Sequence, residues 1–179
     1  MNKLAAATLL WAGLLMAVAG AQDFSEALDM SATQNQISEF GLPTVTTVDA
    51  LSVLADRAYA GSLWKEAITL YQKTAKDANW LANLIAAGVT PYYGASAEEQ
   101  SEYPAEKAAA LIPCEEAANR YKMLRNRAIA RTGICYYRTG KYAEALPYLL
   151  KTLELVSIQE DPVWQEARET MYQIIQFRY

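Results

Sequence analysis

The chain has 179 residues with a formal net charge of −4, and it contains two cysteines and no histidine. The missing histidine excludes Ser-His-Asp and Cys-His catalysis and every metal site that needs a histidine ligand. Because the chain is net acidic, we do not expect it to bind nucleic acid. No Gly-rich phosphate loop, calcium loop or zinc spacing occurs, so we also expect no cofactor and no bound metal.

Residues 1–21 have the composition of a secretory signal peptide. Lys3 is their only charged residue, residues 4–18 are almost wholly apolar, and small residues precede position 22. Removing this segment would change the net charge from −4 to −5. The alternative is an uncleaved N-terminal anchor, although the apolar run is short for a bilayer span. We expect an exported protein, periplasmic or secreted, of a bacterial cell envelope.

Residues 22–48 are predicted to be a flexible acidic arm and linker. No basic residue occurs in this stretch. Residues 24–40 fit either a weak helix or a mobile arm, and Gly41 ends them. Residues 44–48 are β-branched but isolated, which favours an extended linker. Asp49 is then the expected N-cap of the first helix of the main domain.

Residues 49–179 are predicted to form one helical domain, interrupted by an irregular loop at about 88–104 that is rich in Gly, Pro and Tyr. Apolar residues at helical spacing predict the other elements. The predicted helices cover residues 49–60, 63–76, 79–87, 105–112, 114–138, 142–155 and 162–177. Pro113 is expected to interrupt or kink the chain, Thr139-Gly140 to end the long helix, and Asp161 to cap the last one.

A short pattern occurs twice in this domain. A small residue stands twelve positions before an alanine, an aromatic residue three positions before it, and a large apolar residue four positions after it. The first copy consists of Ala55, Trp64, Ala67 and Tyr71. The second copy consists of Gly133, Tyr142, Ala145 and Leu149. Small residues at these points let two antiparallel helices approach closely, which is the packing of a helical-hairpin repeat.

These residues resemble the tetratricopeptide repeat family, whose repeat is about 34 residues of helix-turn-helix. The resemblance implies an all-α fold: a short stack of antiparallel helical hairpins with a C-terminal closing helix. Ala67 and Ala145 are 78 residues apart, against about 68 for two whole repeats. The excess predicts a middle, irregular repeat with an insertion at residues 88–104.

The charge distribution supplies the candidate site. No acidic residue lies between Glu116 and Glu144, whereas seven basic residues do. Arg127, Arg131 and Arg138 share one helical face, with Tyr137 beside them. In groove-binding members of the family, the first helix of a repeat presents cationic side chains to a ligand carboxylate. The resemblance therefore implies that these four residues contact a partner protein or peptide with an acidic segment.

The alternative for the basic run is pairing within the chain or simple solvation. The carboxylates expected for such pairing are Glu98, Glu99, Glu102, Glu106, Glu115 and Glu116. At the level of the whole protein, we expect a non-enzymatic interaction module that acts as an adaptor or scaffold. The rivals are a structural subunit of an envelope assembly that associates through apolar faces, and an enzyme that uses only carboxylates and arginine.

Cys114 and Cys135 admit two interpretations. Export favours a disulfide. In one continuous helix, however, their separation of 21 residues corresponds to about 31 Å, far beyond the ~5.5 Å between Cα atoms that a disulfide spans. Because a continuous helix is predicted here, we expect buried, unpaired thiols.

Overall fold

The computed structural model describes residues 31–156 and 162–178. The predicted signal peptide and the predicted cap at Asp161 lie outside these ranges. The chain divides into two units, Met1–Leu42 and Pro43–Tyr179, and each is described by itself. In the described ranges the regular structure is helical, without a strand, which confirms the all-α prediction. None of the helices in them combines the length and the hydropathy that a bilayer span requires.

The N-terminal unit contributes helix α1, Ser31–Phe40. The Gly41 N–H donates to the Ile37 carbonyl over 2.9 Å, and Gly41 takes a left-handed φ of 73°. Glycine adopts this conformation without the steric cost that a Cβ imposes, so the helix ends here. Of the two alternatives for this stretch, the helical one is observed over residues 31–40.

The second unit begins with helix α2, Val45–Ala60. Its N-cap is Thr44, whose hydroxyl accepts from the Thr47 N–H over 3.2 Å, while the Thr47 hydroxyl accepts from the Thr44 N–H over 2.9 Å. This reciprocal arrangement satisfies two N–H groups that a helix start leaves unpaired. The expectations of an extended linker over residues 44–48 and of a cap at Asp49 are therefore wrong. A pair of threonines supplies the cap, and the N-cap residue Thr44 lies five residues before Asp49.

Helix α3 runs without a break from Trp64 to Ala87. The sequence suggested two helices here, separated near Asp77. That expectation is wrong because no Gly or Pro interrupts the stretch, and Lys73 pairs with Asp77 one turn away over 2.9 Å. The buried positions continue in helical register on both sides of this ion pair, so one face of the whole helix packs against the core.

The region between residues 88 and 111 contains three short helices: α4 (Thr90–Tyr93), α5 (Ala97–Glu102) and α6 (Ala105–Ala109). The stretch predicted as an irregular loop therefore contains regular structure, namely α4 and α5. Ser96 caps α5 with Glu99 as the reciprocal partner. No independent hairpin forms in this region.

Helix α7, Ile112–Arg138, is the longest described element, with 27 residues. Pro113 lies in its first turn, where the missing N–H costs no helical hydrogen bond. The helix ends at Thr139, and Gly140 follows with a φ of 75°. The prediction of one long helix ended by Thr139-Gly140 is confirmed, and Pro113 starts this helix where an interruption or a kink was expected.

Two further helices complete the unit. Helix α8 is Tyr142–Leu155, with the predicted bounds, and it continues through Pro147. Helix α9 is Pro162–Ile174, and it packs on α8 and α7 as the predicted closing helix.

The packing is that of two hairpins, α2–α3 and α7–α8, with α3 lying directly against α7. The expected middle repeat is wrong, since the inserted residues form the short helices α4–α6 and leave the two hairpins in contact. Gly133 explains the close approach inside the second hairpin. A Cβ at this position would lie 2.9 Å from Leu149 Cδ2 and 3.1 Å from Tyr148 Cβ. The predicted role of this small residue is confirmed.

Candidate interaction site

Three arginines of α7 line one open groove. Arg120, Arg127 and Arg131 are separated by seven and four residues, so they lie on the same face of the helix. The groove has a volume of about 960 Å³ and is lined by residues of α2 and α7, the end of α8 and the start of α9. The walls of the groove are therefore formed mainly by the first helix of each hairpin, α2 and α7, and by the start of the closing helix α9.

Two of these arginines form ion pairs with α2. Arg120 Nη2 lies 2.8 Å from Asp49 Oδ2, and Arg127 Nη2 lies 2.8 Å from Asp56 Oδ2. The two aspartates and the two arginines are each seven residues apart, which places the ion pairs about 10.5 Å apart along the helices. The N-terminal aspartate pairs with the N-terminal arginine, and the C-terminal aspartate pairs with the C-terminal arginine. Helices α2 and α7 therefore run in the same direction.

Tyrosine hydroxyls hold the same aspartates from the other side. The Tyr71 hydroxyl donates to Asp56 Oδ1 over 2.7 Å, and the Tyr121 hydroxyl donates to Asp49 Oδ1 over 3.3 Å. Burial, followed by the hydrogen bond to Asp56, raises the pKa of Tyr71. The hydroxyl thus stays protonated and can donate. Each aspartate consequently bridges a buried tyrosine and an arginine of the groove.

The third arginine belongs to a triad that joins three helices. Arg131 Nη1 lies 2.8 Å from Glu166 Oε2 of α9 and donates to the Tyr59 hydroxyl of α2 over 2.6 Å. The Tyr59 hydroxyl in turn donates to Glu166 Oε1 over 3.1 Å. The Arg131 guanidinium carbon also lies 4.4 Å from the centre of the Tyr59 ring, within the range of a cation–π contact.

The electrostatics of the triad keep Tyr59 and Arg131 in their hydrogen-bond-donating forms. Burial raises the pKa of Tyr59; Arg131 lowers it and Glu166 raises it, and the net shift is upward. Burial lowers the pKa of Arg131, but Tyr59 and Glu166 outweigh this effect, so the net shift is again upward. The triad is thus a cation, a neutral hydroxyl and an anion, which hold α2, α7 and α9 together.

The structure separates the four residues that the sequence assigned to partner binding. Arg127 and Arg131 line the groove, whereas Tyr137 and Arg138 do not. Tyr137 packs against the cluster around Ile134, with its ring centre 5.5 Å from that of Tyr142. Arg138 is exposed at the last position of α7.

The alternative of internal pairing is observed for the three groove arginines, but with different partners from those expected. The carboxylates come from Asp49, Asp56 and Glu166 and not from the glutamates of residues 98–116. Among those glutamates, Glu115 accepts from the Tyr93 hydroxyl over 2.7 Å. Glu99 accepts from the Ser96 N–H over 2.8 Å, and the resulting charge-stabilising hydrogen bonds lower the pKa of Glu99.

Sequence reasoning missed the residues that position the arginines. Asp49 was assigned to a helix cap, and Asp56, Tyr59 and Glu166 were not assigned to a site. A usable signal exists for the aspartates, because their spacing of seven on α2 equals the spacing of Arg120 and Arg127 on α7. Nothing comparable marks Glu166, which lies 35 residues from Arg131.

The groove also exposes apolar side chains. Val53 of α2 is 57% exposed and Met123 of α7 is 66% exposed, and both line the groove between the ion pairs. The arrangement therefore offers apolar contact area together with fixed cationic hydrogen-bond donors. In the described ranges, no group of three or more Cys, Asp and Glu side chains is placed to hold a metal ion.

Comparison of the chain with protein-family models, with curated proteins and with solved structures found no match. The tetratricopeptide resemblance therefore stays a prediction from the sequence, and the assignment of function starts from the groove.

Proposed function

We propose that this chain is an exported, non-enzymatic interaction module of the tetratricopeptide type, which binds a peptide or protein partner in the groove between α2, α7 and α9. The observation that carries the proposal is the pair Arg120 and Arg127. Their side chains are 62% and 44% exposed, and they line an open groove of about 960 Å³. The first helices of the hairpins form this groove, as expected for groove binders of the family.

The aspartates make these arginines suitable donors. A guanidinium carries five N–H groups, and Asp49 and Asp56 each accept one charge-assisted hydrogen bond from their arginine. The remaining N–H groups can donate to a carboxylate or carbonyl of a partner. Because the aspartates already restrict the arginine rotamers, binding costs less side-chain entropy than it would with free arginines.

The exposed apolar side chains of Val53 and Met123 indicate that the partner also carries apolar side chains. A segment that buries apolar side chains on these two residues, and that carries carboxylates near them, would satisfy both parts of the groove. Export is proposed on the basis of residues 1–21, whose composition fits a signal peptide. The proposed place of action is the bacterial cell envelope.

The experiment is a selection of peptides from a display library against the full chain, followed by fluorescence-anisotropy titration of a selected peptide. Arg127→Gln should weaken binding about ten- to a hundredfold, because a hydrogen bond to a charged group contributes roughly 1.5–3 kcal/mol. Arg138→Gln is the matched control, since it removes an exposed arginine of the same helix outside the groove. It should change the affinity less than about twofold.

Equal affinity of the wild type and Arg127→Gln would place the interaction elsewhere on the molecule. Arg131→Gln is less informative than Arg127→Gln, because Arg131 also joins α9 to the hairpins through Glu166. A loss of binding in that variant could follow from a loss of structure.

A further inference from the structure

The exposed surface formed by α2 and α7 carries two parallel stripes of opposite charge. Asp49 and Asp56 form the acidic stripe on α2, and Arg120 and Arg127 form the basic stripe on α7. The two ion pairs fix the stripes in register. The carboxylates are 36% and 37% exposed and the arginines 62% and 44%. All four charges can therefore be reached from outside.

An apolar pair lies between the charges. Val53 stands between the two aspartates on α2, and Met123 stands between the two arginines on α7. Both side chains are more than half exposed, at 57% and 66%. The surface is thus an acid–apolar–acid stripe beside a base–apolar–base stripe, with both stripes running in the same direction.

We propose that this surface binds a second copy of the chain about a two-fold axis. An axis parallel to α2 and α7, lying in front of their exposed surface and centred over the gap between them, places α2 of one copy opposite α7 of the other. The rotation keeps the helix direction, so the register is kept as well. Asp49 of one copy then faces Arg120 of the other, and Met123 faces Val53. The contact is isologous, with the same patch on both subunits.

In the absence of a bound peptide segment, the charge pattern favours a second copy over an extended acidic protein surface as the occupant. An acidic partner would match the arginines but would bring its carboxylates close to Asp49 and Asp56. A second copy instead gives every carboxylate a second arginine and every arginine a second carboxylate. The guanidinium geometry allows this, since one of its five N–H groups is given to the aspartate of the same chain.

This inference goes beyond the proposed function, because self-association is measured without any partner. The two are related in one respect: the second copy covers Val53 and Met123, so it competes with a partner for the groove. A dimer that forms in the absence of peptide supports the inference whether or not the peptide selection succeeds.

The first test is the molar mass of the full chain by light scattering and sedimentation over a range of concentrations. The wild type should form a dimer. Met123→Glu should weaken it at least about tenfold, because the introduced charge is buried against an apolar residue of the other copy. Ile112→Glu is the control: Ile112 is 51% exposed on the same helix and does not line the groove. It should leave the dimer unchanged.

A charge-swapped variant tests the register. Asp49→Arg combined with Arg120→Asp keeps an ion pair within the chain and keeps complementary charges between two copies of the variant. In a mixed dimer of wild type and variant, like charges face each other. Differently tagged wild-type and swapped chains, refolded together, should therefore form mixed dimers at well below the statistical proportion.

Three results overturn the inference: a wild type that stays monomeric at all concentrations, a dimer that Met123→Glu does not weaken, or mixed dimers at the statistical proportion. Urea unfolding of each variant shows whether it is folded, so that a loss of the dimer is not mistaken for a loss of structure.

Discussion

Arg131 and Glu166 form an ion pair of 2.8 Å between α7 and α9, although 35 residues separate them in the chain. The Arg131 side chain is only 20% exposed, and Tyr59 of α2 completes the contact. One carboxylate of the closing helix is thus joined to both hairpins. The position of α9 along the groove depends on this carboxylate as well as on apolar packing.

Replacement of Glu166 by alanine should lower the free energy of unfolding by about 1–3 kcal/mol, since it leaves a mostly buried guanidinium and the Tyr59 hydroxyl without their acceptor. Urea unfolding followed by circular dichroism measures this change. Glu154→Ala is the control, because Glu154 pairs with Lys151 where both side chains are more than half exposed, and its loss should cost less than about 1 kcal/mol. Equal effects of the two substitutions would show that the triad does not hold α9.

Replacement of Gly133 by alanine should destabilise the protein by about 1–3 kcal/mol. The new Cβ would lie 2.9–3.1 Å from atoms of Leu149 and Tyr148, so α7 and α8 would have to move apart. Gly88→Ala is the matched control. The new Cβ would have the Ile85 carbonyl oxygen as its nearest neighbour, at 3.4 Å, and the backbone of residue 88 is right-handed helical. Thermal unfolding should show a lowered Tm for the first variant and an unchanged or slightly raised Tm for the second.

The two cysteines should react with a thiol reagent at very different rates. Both are free and lie on α7, so the expectation of unpaired thiols is met, whereas the expectation of buried thiols is met by Cys135 and is wrong for Cys114. Cys135 is 0% exposed, and burial raises its pKa to about 12. Hence it carries almost no thiolate at neutral pH. Cys114 is partly exposed. In native buffer one thiol per chain should react with Ellman's reagent within minutes, and the second only after urea is added. Two fast thiols would contradict the packing around Cys135.

Stability should fall at alkaline pH. The Cys135 thiol has a pKa of about 12 in the folded chain, against an ordinary value of 9.0. Below about pH 9 the thiol is protonated in both states, so its contribution to stability is fully present. As the pH rises further, only the unfolded chain ionises, and the free energy of unfolding falls by up to about 1.4 kcal/mol per pH unit.

The variant Cys135→Ala isolates this contribution. The tyrosines and lysines are the same in the wild type and the variant, so a difference between their pH profiles comes from the thiol. Between about pH 8 and pH 10, the wild type should lose roughly 1 kcal/mol more stability than the variant. The measurement is urea unfolding at a series of pH values. Parallel pH profiles for the two proteins would refute the assignment to Cys135.

Local patterns predicted most of the second hairpin. Gly133 stands twelve residues before Ala145, and this spacing correctly indicated the close contact of α7 and α8. Thr139-Gly140 ended α7 as expected, because a glycine after a helix supplies the left-handed residue of the turn. These features depend on residues that are near each other in the sequence, so the sequence shows them directly.

The pairing of the charges could not be derived in the same way. Asp56 reaches Arg127 across 71 residues, and which carboxylate an arginine meets depends on how the first hairpin packs through α3 against α7. The sequence suggested the glutamates of residues 98–116, but four of these lie on the short helices α5 and α6, and Glu115 and Glu116 lie in the first turns of α7. The N-cap at Thr44 differs from the prediction for a simpler reason: Asp49 is the better N-cap residue by propensity, but Thr44 and Thr47 form a reciprocal cap five residues earlier.

Among the described residues of the second unit, helix α7 contributes buried side chains to each of three apolar clusters: Ala128 and Cys135 to the first, Tyr121 to the second and Ile134 to the third. In repeat arrays each unit contacts only its neighbours, and local unfolding can stop at a repeat boundary. In the described part of this unit the two hairpins share α7, so opening either hairpin exposes buried residues of that helix. The second unit should therefore lose its amide-exchange protection in a single cooperative step.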